Sequence, residues 1–370
     1  MQELLSKFSD STLSRKLLDK VQEAAEEFIR LNGRRPAFME VCGSHTMALA
    51  QKGVKRALKD HVNLISGPGC PVCVTDQKSI DAMIKLAEGE NRIICTFGDM
   101  IRVPGTEFSL MEAKLEGKDI RVVYSPPDAV KIAEENPDKE VIFLGIGFET
   151  TIPVLGVAIK EAMDRGVRNF SMWMTTKLVE PILRTLLETK ELNIDGFILP
   201  GHVSIVLGKN DYQYLVDEYQ VPGVISSFET VGMLGSIYKL IRQLLEGRVE
   251  IENNYSAVVT DEGNIETKKL INTFFKPVDE PWRGIGVIPD SGMDIREEYD
   301  RFNARKRFNI TVGEPGKTKC RCGEIIRGLV TPEECPLFAK ACTPSKPIGP
   351  CMVSSEGTCS AHYLYMREDS

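Results

Sequence analysis

The chain has no excess of positive charge: 46 Lys and Arg stand against 53 Asp and Glu in 370 residues, a formal charge of -7. With no broadly basic surface to displace counterions from phosphates, a nucleic-acid partner is excluded. Long apolar runs are also missing. The longest, Val141 to Phe148, falls far short of the roughly 18 residues that suggest a membrane span, so no membrane partner and a cytoplasmic location are expected. The segment from Met1 to Arg30 lacks the form of a signal or transit peptide, because Lys, Asp and Glu run through an amphipathic pattern of Leu4, Leu5, Phe8, Leu13, Leu17, Leu18, Val21, Ala24, Ala25 and Phe28. It reads as a surface helix pair. No Cys-x3-Cys-x2-Cys triad occurs, which argues against a radical enzyme.

What the chain does have is sulfur. Of its 10 cysteines, six lie from Cys320 onward, and four of these, Cys320, Cys335, Cys342 and Cys359, follow the spacing Cys-x14-Cys-x6-Cys-x16-Cys. In a reducing compartment such a set points to metal binding or catalysis rather than a disulfide framework. Four thiolates suit either an iron-sulfur cluster or tetrahedral zinc. Zinc sites more often use paired short spacings, whereas three long intervals require an irregular loop wrap, which favours the cluster. Cys322 and Cys351 are left over. Cys95, at a predicted strand end, reads as a buried core thiol, and His61 at a strand start as structural.

Between residues 37 and 246 short apolar runs alternate with helical patterns. The strands expected are Ala37 to Val41, Val62 to Ser66, Arg92 to Thr96, Arg121 to Tyr124, Glu140 to Ile146, Phe170 to Trp173, Gly196 to Leu199 and Gly223 to Ile225. Helices are expected over Asp76 to Glu88, Thr150 to Arg165, Val179 to Lys190 and Thr230 to Glu246. This grammar predicts an α/β fold with parallel sheets covered by helices on both faces. Two sheets are preferred over one, with a seam near residue 138 marked by Pro126-Pro127, Pro137 and the charged stretch Glu134 to Glu140. The expected domains are 1–138, carrying the first two cysteine motifs, 139–247, and a cysteine-rich 248–370. The last is polar and strand-poor, and a metal could supply its missing stabilisation.

Two sulfur motifs follow predicted strands. Cys42-Gly-Ser-His-Thr46 places Cys42 in a strand-to-helix turn, with Ser44 or Thr46 as a cap for a helix beginning near Met47. The helix N-terminus and His45 would favour thiolate over thiol, making Cys42 a candidate nucleophile or metal ligand. The plainer alternative is a small buried hydrophobe with His45 as a capping partner. Cys70-Pro-Val-Cys73 follows Gly67-Pro-Gly69 and precedes Asp76 at a helix start, and resembles a dithiol redox motif. Half a zinc knuckle is the alternative, but no second local Cys-x-x-Cys completes it. Ligands of parallel sheets collect beyond the carboxyl ends of the strands, so Cys42, His45, Cys70 and Cys73 can converge there if their strands are neighbours. Asp99, Glu149 and His202 also follow predicted strands and could face the same cleft, although a cap or turn explains each singly.

Two nucleotide motifs fail on inspection. Gly145-Ile-Gly147-Phe-Glu-Thr150 has Thr150 in place of a third glycine, and Gly313-Glu-Pro-Gly316-Lys317-Thr318 has Thr311 where a phosphate loop begins with glycine.

Taken together, Cys42-Gly-Ser-His-Thr46, Gly67-Pro-Gly-Cys-Pro-Val-Cys73, Thr96-Phe-Gly-Asp99, Gly147-Phe-Glu-Thr-Thr151, Pro200-Gly-His-Val-Ser204 and the C-terminal cysteine spacing resemble the HypD family of hydrogenase maturation factors, over essentially the whole chain. The resemblance implies two Rossmann-like domains and a third domain holding a [4Fe-4S] cluster on Cys320, Cys335, Cys342 and Cys359. It implies a HypC-type chaperone as partner, together forming a scaffold on which iron acquires two cyanides and one carbon monoxide, a HypE-type cyanide donor, and delivery to the large subunit of [NiFe] hydrogenase. In that setting Cys42 would anchor the iron and His45 tune it or move protons. Cys70 with Cys73 would cycle between dithiol and disulfide, and Cys322 with Cys351 would pass electrons from the cluster. Asp99, Glu149 and His202 would line the pocket or dock partners. Two other classes remain: an iron-sulfur dithiol/disulfide reductase and a zinc-stabilised binding module.

Overall fold

A computed structural model describes residues 11–189, 192–316 and 318–367. Leu4, Leu5 and Phe8 of the expected N-terminal helix pair lie outside them, as do Lys190 and Lys317. The first described element is a single helix, α1 (Ser11–Asn32). Its stripe of Val21, Ala24, Ala25 and Phe28 is buried, as a 3.6-residue period requires, and Gly33 ends it with φ +69°, a conformation open to glycine without steric cost.

The chain then lays down β1 (Ala37–Glu40), α2 (Gly43–Gln51), β2 (Asn63–Ser66), α3 (Pro71–Val74) and α4 (Gln77–Ala87). It leaves for a second sheet of β3 (Arg92–Thr96), β4 (Ile120–Val122), β5 (Glu140–Gly145) and β6 (Phe170–Met174), with α5 (Ile152–Asp164) between the last two. It returns through α6 (Val179–Glu188), β7 (Gly196–Pro200), α7 (Gly201–Leu207), β8 (Gly223–Ser226), α8 (Thr230–Glu246) and β9 (Ile251–Asn253). Both sheets are parallel, in the orders β2-β1-β7-β8-β9 and β4-β3-β5-β6. The expected α/β architecture, with helices covering parallel sheets, is therefore present.

The seam near residue 138 is not where the sheets divide. It falls between β4 and β5 of one sheet, and β3 pairs with β5 across it, Ile94 against Ile142. The first sheet instead draws β1 and β2 from before the second sheet and β7 to β9 from after it. The punctuation has a local cause: Pro126 and Pro127 occupy the first turn of a helix capped by Ser125, where no intrahelical N–H is needed.

The region after Gly247 is also richer in strand than its composition suggests. β9 extends the first sheet, and after α9 (Ile265–Phe274) come β10 (Phe275–Trp282) and β11 (Gly286–Ile295), an antiparallel hairpin with an irregularity between Val278 and Glu280. Pro277 and Pro281 disguise β10, and a two-stranded ribbon with a free edge tolerates both. Two buried charges, Lys177 and Glu280, with the partly exposed Arg305, tie the hairpin to the segment after β6. Lys177 Nζ lies 2.9 Å and Arg305 Nη2 3.1 Å from Glu280 Oε1.

Three apolar cores result. One lies under α1, α2 and α8, one under α5 and α9, and the third joins the inner faces of both sheets to the C-terminal cysteine segment. That shared core contains Cys70, Cys73, Cys322, Cys335, Cys342, Cys351 and Cys359. At its edge a buried ion pair holds β1 to β2: Lys55 Nζ is 2.5 Å from Glu40 Oε1 and donates to Ser66 Oγ at 2.7 Å. Ser66 Oγ donates in turn to Glu40 at 2.8 Å. Removing one partner of a buried pair strands the other, so Lys55→Met is expected to lower stability by about 3–5 kcal/mol. Adding Glu40→Leu should recover much of that loss. Urea unfolding of the three proteins checks it, and a single-mutant loss below about 1 kcal/mol would show that the pair does not brace this corner.

Candidate functional site

Because β1 and β2 run parallel in register, with Glu40 against Ser66, the turns that follow them emerge side by side. Gly43 N–H donates to the Gly69 carbonyl at 3.1 Å. A Cβ at Gly69 would sit 2.4 Å from Cys42 Cα, so only glycine allows the two turns to approach this closely. The Cys42 turn and the Cys70-Pro-Val-Cys73 turn are thus in backbone contact at the carboxyl end of the sheet. Cys70 and Cys73 are joined as a disulfide across α3, both buried, and Cys73 N–H points at Cys70 Sγ, 3.2 Å away.

Cys42 is itself the N-cap of α2, which starts at Gly43 rather than near Met47, with no side-chain cap. Asp76 does cap α4, through the N–H groups of Lys78 and Ser79. The half-buried Cys42 thiol is pushed up to about 11, first by burial and then by the charge of Glu356, against the pull of the Ser44 and His45 backbone N–H groups. The expected bias toward free thiolate is therefore reversed. His45 does not supply positive charge either. It is fully buried, its Nε2 lies 3.1 Å from the Ser227 carbonyl, and burial lowers its pKa to about 4.

The His45 ring stacks on Phe228 at 4.5 Å between centroids, and the exposed His202 stacks on the same ring at 4.1 Å. His202 is also within reach of the Glu356 charge. Glu356 accepts a short hydrogen bond from Ser44 Oγ and lines a cavity of about 470 Å³ with Asp99, Thr151, Pro71 and Val72. Asp99 and His202 thus gather around the Cys42 turn. Glu149 does not. Although it shares a loop with Thr151, it lines a different cavity, beside α6, α7 and α9.

The C-terminal thiols assemble with one another. Cys320, Cys335, Cys342 and Cys359 line one small cavity together with Cys351, Phe338, Met352 and Gly349. Among the described residues, no three His, Cys, Asp or Glu side chains are close enough to grip a single metal ion. The donor chemistry fits an iron-sulfur cluster: four soft ligands in an apolar cage. Ile348 N–H donates to Cys342 Sγ at 3.3 Å, and a Cβ at Gly349 would come within 2.8 Å of Cys320 Sγ. Cys322 Sγ lies 2.6 Å from Cys351 Sγ; hydrogen bonding with Cys320 first, and with Cys351 second, favours thiolate at Cys322, and the bond with Cys322 favours thiol at Cys351. The turn Pro350–Met352, carrying Cys351, packs on α3, carrying Cys73. α10 (Thr358–Tyr365), carrying Cys359, packs along α2. Cys351 thus borders the cavity and, through its turn, the helix that carries Cys73, with Cys322 beside it. Cys95 is fully buried and pushed up to about 12 by burial, a core thiol. His61 sits 3.5 Å from Glu26.

The residues that motif reading did not single out are Glu356, Phe228 and the Glu40–Lys55 pair. Ser354-Ser355-Glu356-Gly357, a polar stretch between Cys351 and Cys359, was the available signal for the first. Nothing in the sequence pairs Phe228 with two histidines, one 26 and the other 183 residues before it.

A family model described as "HypD: Hydrogenase formation hypA family" matches residues 12–366. A protein of Cupriavidus necator named hydrogenase maturation factor HypD is 42% identical over 373 aligned residues, covering 98% of this chain and 97% of that protein. The HypD of Escherichia coli is 40% identical, covering 96% and 95%. A putative hydrogenase expression/formation protein of Methanocaldococcus jannaschii is 40% identical, covering 97% and 99%.

Two outcomes follow from the electrostatics. In reduced, metal-free protein Cys42 should react with iodoacetamide about 100-fold more slowly at neutral pH than an ordinary thiol. Its rate should rise about tenfold per pH unit toward pH 11. Mass spectrometry of the Cys42 peptide reads this, and a plateau below the ordinary thiol range contradicts it. For Glu149, burial raises the pKa from 4.5 to about 7, so the folded state favours the protonated acid. Its stabilisation is complete below 4.5 and is lost as pH rises through 7. Wild type should therefore lose about 3 kcal/mol relative to Glu149→Gln across that window, measured by urea unfolding, and parallel pH profiles of the two proteins would refute it.

Proposed function

The chain belongs to the HypD family, and from that premise we propose that this hydrogenase maturation factor is a redox-active scaffold. With a HypC-type chaperone it would hold iron while two cyanides and one carbon monoxide are attached. The finished unit would then pass, through the chaperone, to the large subunit of [NiFe] hydrogenase. The observation that carries the reading is the backbone contact between the Cys42 turn and the Cys70–Cys73 turn. It sets a candidate iron anchor beside a dithiol/disulfide couple.

Iron is the substrate here. A low-spin iron bearing cyanide and carbon monoxide needs soft anionic anchors, and Cys42 is the thiol in the cleft not already bonded to a neighbour. Its high pKa means that it stays protonated until metal arrives and releases its proton on binding. His45, kept neutral by burial with a pKa of about 4 and with Nδ1 buried and unpartnered, would tune the site as an uncharged ring rather than take up that proton. A second thiolate would come from the chaperone.

Cyanide arrives from a HypE-type donor as a thiocyanate on a cysteine. Cleaving R–S–CN to R–S⁻ and CN⁻ takes two electrons. Oxidising the Cys70–Cys73 dithiol to the disulfide releases two electrons and two protons, so each cyanide transfer consumes one such oxidation. Cys320, Cys335, Cys342 and Cys359 would hold a [4Fe-4S] cluster, which when bound supplies single electrons at low potential. Cys351 and Cys322, between that cavity and α3, would carry reducing equivalents toward Cys73. Glu356 and Asp99 line the cavity beside the Cys70 turn, and His202, stacked on Phe228, feels the charge of Glu356. These three are the residues best placed to orient incoming groups or the chaperone.

A disulfide reductase would use the same dithiol but leave Cys42, Glu356 and the His45–Phe228–His202 stack without a task. Anaerobic purification should give a brown protein with about four iron and four sulfide per chain, and a colourless zinc protein would contradict the cluster. Infrared spectra of the complex with a HypC-type partner should show cyanide and carbon monoxide stretches that vanish in Cys42→Ala. Bands that persist in that variant would remove Cys42 as the anchor.

A further inference from the structure

No motif links the β10–β11 hairpin to the cysteines, yet its tip lies between two cysteine turns. Trp282, the last residue of β10, forms an isolated bridge with Thr75, just after Cys73. The Arg283 backbone N–H donates to the Val74 carbonyl at 2.8 Å. Its side chain continues along the same stretch, with Nε donating to the Thr75 carbonyl at 2.9 Å and Nη1 to Gln77 Oε1 at 3.1 Å. On its other side the tip meets the turn that carries Cys322. A Cβ at Gly284 would sit 2.3 Å from Gly323 Cα, and one at Gly323 would sit 2.6 Å from Gly284 Cα, so the two backbones touch where neither has a side chain.

One arginine thus holds the chain from the end of α3 to the first residue of α4. Its acceptors here are neutral, two backbone carbonyls and an amide, so the guanidinium acts through its planar fork rather than as half of an ion pair. The segment it fixes closes α3, a single short turn that carries Cys73 and is capped by Cys70. A helix this short has little rigidity of its own and takes it from its flanks. Rigidity matters to a dithiol. Two thiols held facing each other close at high effective concentration, and loosening their turn gives the open form more conformations and shifts the balance toward it.

We propose that Arg283 is a positioning residue for the Cys70–Cys73 couple: by tethering the chain after Cys73 to the hairpin tip, and through the tip to the Cys322 turn, it holds the two sulfurs where the disulfide closes. The role rests on the proposed redox function of Cys70 and Cys73, and it is exerted through the backbone.

Anaerobic equilibration of the purified full chain in dithiothreitol buffers of graded dithiol-to-disulfide ratio tests it. The Cys70–Cys73 bond breaks as the dithiothreitol ring closes, with two electrons and two protons passing to the protein. Mass spectrometry of the alkylated peptide reads the fraction reduced. Arg283→Met should favour the dithiol at least about tenfold, a shift of about 30 mV, and Arg283→Lys, which keeps the charge and loses the fork, should move the same way. Loss of a charge effect would have the opposite sign, because a cation stabilises thiolate, so a shift toward the disulfide in Arg283→Met overturns the proposal. So does no shift in that variant once folded. Gln77→Ala removes one acceptor and should shift the balance about two- to threefold in the same direction; if Arg283→Met does not fold, an unmoved Gln77→Ala is the overturning result. Ile159→Ala, in the core under α5, lowers stability away from the tip and should leave the balance where it is, whereas a shift there equal to that of Arg283→Met would show general loosening and overturn the role. A wild-type pair that does not respond to the buffers removes the couple from the proposed function and its positioning residue with it. A wild type that titrates beside an unmoved Arg283→Met overturns the positioning role alone.

Discussion

Two parallel strands ending in register govern most of what this protein can do. Glu40 of β1 stands opposite Ser66 of β2, and a buried lysine, Lys55, bonds to both. Whatever follows one strand must then lie against whatever follows the other. The chain places a cysteine turn after each and uses Gly69 to remove the side chain that would hold them apart. Had the register slipped by a residue, the side chains of the shifted strand would have changed face, and the Cys42 turn would no longer meet Gly69.

The second constraint is burial. Thiols are usually made reactive by exposure and nearby positive charge, yet Cys42 has neither. Its neighbours include Glu356, a carboxylate, and His45, a neutral ring packed on Phe228. Burial and the neighbouring carboxylate favour the thiol over the thiolate at this position. The same economy holds in the C-terminal segment. It has little helix or strand, and its cysteines are built into the core that joins the inner faces of the two sheets. Loading its cavity would therefore bear on the packing around α3 and α2, where the other thiols sit.

The third feature is the loop after β5, which serves two cavities. Gly147 would clash with Thr151 if it carried a side chain, so the loop is tight. It turns Thr151 toward the Cys42 side and Glu149 away from it. Strand-end placement in the sequence suggested a common cleft for Asp99, Glu149 and His202. Two of the three approach it, and the alternation of a tight turn sends the third elsewhere.

By itself the sequence determined the alternation of strand and helix, the parallel character of the sheets, the capping of α4 by Asp76, and the motifs that mark the family. Each is a matter of periodicity or of residues adjacent along the chain, where local sterics and hydrogen bonding act. The tertiary structure alone decided that β1 and β2 share a sheet with β7 to β9 rather than with β3. It also decided that Pro277 and Pro281 lie in a strand, that Glu356 meets Ser44, and that His45 and His202 clasp one phenylalanine. These depend on which distant faces exclude water together. The sign of the Cys42 shift has the same origin: desolvation is a property of the surrounding atoms, most of them contributed by segments far away in the chain.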